Sequence, residues 1–239
     1  MSNWLLYHGS DHVIEKPDLS LGKKTNDYGT GFYMTQDINL ACEWAIKKNT
    51  DGILNEYKCN YTGLKVLDLL SGEYNVLNWI ALLLNNRIFN INDNVSLEAK
   101  KYILDNFLID LAGYDVIVGY RADDSYFSYA QSFINSTISI ETLSKALMLG
   151  NLGTQIVFIS DKAIKRLELI DGYYVSKDDY YPAYKKRDDK ARNDYNNSIK
   201  NKSNIKTDTF IIDLIRMEMK NNDERLQKYI LKWLCKSLV

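Results

Sequence analysis

Only two histidines, His8 and His12, occur in 239 residues. Two imidazoles cannot furnish a multi-histidine metal centre, so no metal is expected. Any imidazole chemistry is confined to the start of the chain. The three cysteines, Cys42, Cys59 and Cys235, are odd in number and widely spaced. They fit neither a disulfide framework nor a zinc site, and a reducing cytoplasm is the expected compartment. No stretch approaches the ~20 consecutive apolar residues of a membrane helix. The longest apolar run, residues 79–84, reads as a core helix, and no membrane partner is expected. A net charge of −1 excludes whole-chain attraction to nucleic acid or anionic lipid, though not a local basic patch. The first residues carry no basic region ahead of an apolar one, so no secretory signal is expected. Prolines are limited to Pro17 and Pro182, and no internal repeat is visible.

What is present describes a globular chain able to bury a real core, with 46% hydrophobic and 26% charged residues. A strand is expected over residues 3–7, ending in His8-Gly9-Ser10. A glycine-punctuated segment from Asp27 to Met34 follows, and Thr35 or Asp37 caps a helix running to about residue 48. Leu40, Ala41, Trp44 and Ala45 fall on one face of that helix. Strands are expected at 53–59 and 64–69, and helices at 73–85 and 96–111. A buried β-branched strand is expected at 114–120, helices at 125–134 and 140–149, and strands at 155–159 and 164–170. Elements mix without βαβ alternation, which predicts an α+β fold.

Composition shifts after Tyr184. Residues 185–206 hold eight Lys or Arg against three Asp and almost nothing apolar. The expected organisation is a domain over 1–184, a polar basic linker over 185–206 and a helical tail over 207–239, with helices at 209–220 and 223–238. The basic segment reads first as a solvated linker. Tyr173, Tyr174, Tyr180, Tyr181 and Tyr184 just upstream give it the aromatic interleaving that single-stranded nucleic acid favours.

Three segments carry chemistry: Tyr7-His8-Gly9-Ser10, Tyr28-Gly29-Thr30-Gly31-Phe32-Tyr33-Met34, and Gln155-Ile156-Val157-Phe158. The first sets a histidine and a glycine at a strand end, where free backbone groups can bind a planar carboxamide. The second lets backbone approach a ligand beside a tyrosine. Trp44, on the following helix, offers a second aromatic for the opposite side of a flat heterocycle. Alone, His8 reads as a structural hydrogen-bonder and Trp44 as core; their ordered conjunction favours a site. Arg121, Asp123 and Asp124 read as a solvated turn. Nothing in their spacing marks Glu43 or Glu56 as a catalytic carboxylate.

These segments resemble the signature of diphtheria-toxin-like and poly(ADP-ribose)-polymerase-like ADP-ribosyltransferases, the His-Tyr-Glu class, and within it an uncharacterised bacterial branch. The resemblance runs in order from Leu5 to Ile170. It implies a split, mostly antiparallel β core with a cleft for NAD⁺, inserted helices and a helical C-terminal tail. It further implies that His8 holds the adenosine-side ribose, that the Gly9 backbone grips the nicotinamide carboxamide, and that Ser10 lies along the adenosine ribose. Tyr33 and Trp44 would sandwich the nicotinamide, and Gln155 would stand at the catalytic position. Two residues depart from the pattern. Ala41 replaces a serine that bonds the carboxamide, and Gln155 replaces a glutamate. The amide can orient a ribose hydroxyl but adds no charge opposite an oxocarbenium-like ribose, a loss of about 2–4 kcal/mol in the transition state. The implied activity is mono-ADP-ribosylation of an unidentified protein or nucleic acid by a bacterial toxin or defence effector, held by an antitoxin partner. Alternatives are an NAD⁺ glycohydrolase and a non-catalytic nucleotide-binding module.

Overall fold

A computed structural model describes residues 3–46, 50–122, 124–149, 153–200 and 207–232. The first half contains β1 (Asn3–Ser10), β2 (Phe32–Met34), α1 (Ile38–Ala45), β3 (Gly52–Asn60), β4 (Val66–Asp68), β5 (Ser71–Asn75), α2 (Val76–Asn86) and α3 (Asn94–Phe107). Then come β6 (Val116–Tyr120), α4 (Asp124–Ile134), α5 (Ile140–Leu149), β7 (Thr154–Phe158), α6 (Asp161–Ile164), β8 (Leu167–Val175), α7 (Lys177–Lys200) and α8 (Ile211–Arg216). A 3-10 turn (Glu224–Tyr229) leads into β9 (Ile230–Lys232). The fold is mixed α+β, and among the described residues every strand pairing but one is antiparallel. Among the described residues, no helix is long and apolar enough to cross a membrane.

The chain forms two interleaved compact units. The first comprises Met1–Asp68, Leu111–Arg121 and Gly153–Lys190. It holds a three-stranded sheet in the order β1-β3-β8 and a four-stranded sheet in the order β2-β7-β6-β4. Only β4 and β6 run parallel. Leu6, Tyr57 and Cys59 from one sheet meet Phe32, Met34, Val116, Val118, Ile156 and Phe158 from the other in a single buried cluster. A lone bridge between Tyr7 and Thr35 joins β1 to the end of β2. The far face of β1 and β3 is covered by α1, through Ala41, Cys42, Ala45 and Leu54. Asp115 anchors the four-stranded sheet, accepting from Lys65 N–H, the Ser160 hydroxyl and the Lys162 ammonium at 2.7–2.9 Å. Burial alone would raise its carboxyl, but these three donors bring it down to about 2.

The second unit comprises Leu69–Asp110, Ala122–Leu152 and Ala191–Val239. Its centre is α2, apolar on all sides and buried from Val76 to Leu84. Asn75 and Asn78 cap α2 reciprocally, and the Asn78 amide donates to Phe107 O (2.9 Å) and Asn221 Oδ1 (2.9 Å).

Three expectations are corrected. Residues 185–200, read as linker, continue α7, so the boundary expected at 184/185 falls inside a helix. Tyr180, Tyr181 and Tyr184 pack its first turns against the core beneath α1, and Arg187 pairs with Glu43. Residues 201–206 lie outside the described residues. The helix expected at 223–238 is instead a 3-10 turn followed by β9, which pairs with β5. That pairing also delays the start of α2 to Val76, since residues 71–75 serve as strand. Residues 233–239 lie outside the described residues. Finally, 164–170 divides between α6, whose N-cap Ser160 accepts from Ala163 N–H (3.1 Å), and β8.

Candidate functional site

Alternation along β1 sets the site. Leu6 joins the buried cluster between the sheets, so His8 turns to that side, and its ring lies 4.4 Å from that of Phe32. His8 Nδ1 lies 2.7 Å from Tyr33 O. A carbonyl only accepts, so Nδ1 carries the proton and Nε2 of the neutral ring is an acceptor. Burial holds this imidazole below its ordinary range, outweighing the opposing effect of the Tyr33 bond.

Tyr7 exchanges backbone hydrogen bonds with Thr35, N–H to O at 2.8 Å and the reverse at 3.0 Å. Two residues on, the Gly9 N–H and C=O point in the same direction, away from β3 and past the last contact with β2. Among the described residues neither group has a hydrogen-bond partner. A side chain here is excluded, because a Cβ on Gly9 would sit 2.0 Å from Ala41 O and 2.4 Å from Ala45 N. The close approach of α1 to β1 thus requires glycine and leaves an adjacent amide and carbonyl open.

Tyr33 is half-buried and fixed through its hydroxyl, which donates to Gly29 O (2.7 Å) and accepts from Tyr28 N–H (3.1 Å). Gly29 makes that turn at φ 75°, a conformation glycine adopts without strain. On β2 and β7, Phe32, Met34, Ile156 and Phe158 face the core, so Tyr33, Thr35 and Gln155 share the opposite face. Gln155 pairs with Gly119 and lies one step beyond the Met34–Ile156 pair, the register position of Thr35. Its Oε1 is buried, and among the described residues it accepts no hydrogen bond. An unsatisfied buried acceptor costs about 1–3 kcal/mol, so a ligand donor there would recover energy.

Asp37 caps α1 by accepting from Asn39 N–H (3.0 Å) and Leu40 N–H (3.3 Å). Leu40 and Trp44 lie along one edge of α1 and Ile38 and Cys42 along the other. The Leu40 edge touches Gly153, just ahead of β7, where a Cβ would be 2.5 Å from Leu40 Cδ2. Trp44 is half-buried on this edge, beside the backbone of Gly9. Ser10 serves the loop: its hydroxyl donates to His12 O (2.6 Å) and accepts from Asn55 Nδ2 (2.8 Å).

His8, Gly9, Tyr33 and the Trp44 edge of α1 therefore border the open end of β1, and Gln155 lies in the same unit at the register position of Thr35. Ser10 is adjacent but already committed within the protein. Glu43 is engaged by Arg187, with Nε to Oε2 at 3.1 Å, and Glu56 lies on the α1 side of β3. Arg121, read as part of a solvated turn, is buried at the end of β6 because its N–H continues the sheet onto Gly153 O (3.3 Å). Asp123 lies outside the described residues. Asn55 had no sequence signal. It is fully buried on β3 and ties β1 to the 12–14 loop, accepting from Ile14 N–H at 2.8 Å.

A family model described as "Protein of unknown function (DUF3990)" matches residues 4–169. The chain belongs to this family. All of the site residues lie inside the part of the chain shared with DUF3990, whereas α7 lies beyond it. No curated protein and no solved structure matches the chain.

Proposed function

We propose that this DUF3990 protein is a mono-ADP-ribosyltransferase that uses NAD⁺. The observation that carries the reading is the open backbone of Gly9, an amide donor beside a carbonyl acceptor, flanked by His8 and Tyr33. That pair complements a primary carboxamide, which offers one carbonyl and two N–H groups. Nicotinamide carries such a group on a flat ring, and Tyr33 and Trp44 supply aromatic surface for it. His8 Nε2 accepts from a ribose hydroxyl, and the unsatisfied Gln155 Oε1 accepts from a hydroxyl of the second ribose. The split β core supports the same reading, since its two sheets part where β2 leaves β1.

In the reaction the bond from ribose C1′ to the pyridinium nitrogen breaks, and nicotinamide leaves with the electron pair. An acceptor nucleophile bonds to C1′ and gives its proton to solvent. Gln155 contributes orientation rather than charge, so turnover is slow. The same neutrality favours a second reading, a nucleotide-binding module without turnover. The site is expected in a bacterial toxin or defence effector controlled by an antitoxin; the acceptor is a protein or nucleic acid.

Nicotinamide release by wild type, Gln155→Ala and Gln155→Glu, each with its melting curve, is the test. Transfer predicts a loss of about 10²-fold or more in Gln155→Ala with NAD⁺ binding kept, and a gain in Gln155→Glu. A wild type that binds NAD⁺ and releases no nicotinamide establishes the binding module. Wild-type turnover in Gln155→Ala would remove Gln155 from the site.

A further inference from the structure

On the edge of α1 away from Trp44, the first unit holds a pocket of about 370 Å³. Its walls include the rings of Tyr7, Tyr173, Tyr174 and Tyr180, with Cys42 and Glu56. Glu56 accepts hydrogen bonds from the hydroxyls of Tyr173 (2.9 Å) and Tyr7, which fix the carboxylate among the rings. Among the described residues, no lysine or arginine lines the pocket. Around the rim, Asp51 accepts from the Tyr174 hydroxyl, and Asp171, Asp178 and Asp179 press negative potential on the exposed tyrosines.

The same layer already contains the filled form of this chemistry. Arg187 sets its guanidinium on Glu43 (Nε to Oε2 3.1 Å) and 5.8 Å from the centroid of the Tyr184 ring. A planar cation is held there by a carboxylate at its edge and an aromatic face alongside. The pocket repeats the carboxylate and the rings, and among the described residues its lining includes no cation. Neutral ligands would use the aromatic walls and leave the charge of Glu56 without a counter-ion. Anions would meet five carboxylates.

We propose that this pocket binds a guanidinium group, as borne by arginine, with Glu56 as counter-ion and the Tyr173 and Tyr7 rings as walls. The site is separate from the one bordered by Gly9 and stands whether or not NAD⁺ is a substrate.

The test is titration of the full chain with N-acetyl-arginine methylamide, its neutral citrulline counterpart and a short arginine-containing peptide, followed by tyrosine fluorescence and calorimetry. Saturable binding of the arginine probe, weakened at least about tenfold in the citrulline analogue and by high salt, is expected. Glu56→Gln, which keeps the shape of the side chain, should weaken binding by a similar factor with an unchanged melting temperature. Tyr173→Ala, at an exposed ring, should weaken it independently. Peptide and amide of equal affinity assign the site to a free guanidinium compound; a tighter peptide assigns it to an arginine in a polypeptide. Equal binding of the citrulline probe, full affinity in folded Glu56→Gln, or no saturation overturns the proposal.

Discussion

At the residue scale the His8 ring decides how the site responds to pH. Burial favours its neutral form, so between its value in the fold and about 6.5 the unfolded chain binds the extra proton. Its contribution to stability is thus complete above about pH 6.5 and is lost as pH falls through the folded value. The same protonation turns Nε2 from acceptor to donor. Calorimetry from pH 5 to 8 should show NAD⁺ affinity level down to about pH 6.5 and declining only at more acid pH, as the lowered His8 value is approached. His8→Ala should weaken binding by about 1–3 kcal/mol at pH 7.5 and flatten that decline. The thiols give a second check. Cys42 and Cys59 are buried and unpaired, and burial pushes Cys59 up to about 11. Both should resist a disulfide reagent at pH 8 in native protein and react once it is denatured, because the thiolate is the nucleophile.

At the element scale the contact of β1 with α1 is the most demanding. Gly9→Ala forces a methyl into the backbone of Ala41 and Ala45, and the helix must lift from the sheet. A stability loss of about 1–3 kcal/mol in urea denaturation, with loss of nicotinamide release, is expected. A fully stable Gly9→Ala protein would contradict this packing. The sequence made this region legible because its signals are local: an Asp37 cap before an apolar stripe, a β-branched run at β6, glycines around Tyr33. The elements it concealed depend on distant partners. Nothing in residues 71–75 or 230–232 reveals that they pair, since both are short and polar or flanked by helix-like periodicity. Likewise, α7 is polar on nearly every side, and its start is held by three tyrosines and Arg187 rather than by an apolar stripe. Of the candidate site, motif spacing points to His8, Tyr33 and Gln155. The open backbone of Gly9, the orphaned Gln155 oxygen and the buried Asn55 were not legible, because each follows from register across strands.

At the scale of the molecule, both units draw on separated stretches of chain. A fragment of residues 1–184 would lack Arg187, β9 and α8, whose Ile211 and Leu214 are fully buried. It should melt well below the full chain, and thermal melts of the two monitored by circular dichroism check this. Equal melting would restore 1–184 as an independent domain. The strand order β2-β7-β6-β4 has a further consequence, this time for synthesis. Its inner strand β7 is the last of the four to leave the ribosome, and each antiparallel neighbour of β7 lies far back in the chain. Such non-local pairing folds slowly. Until Gln155 has emerged, a nascent chain bearing His8 and Tyr33 has a gap where β7 belongs. If the proposed transfer of ADP-ribose is the activity, it would in this way stay silent for most of the chain's own translation.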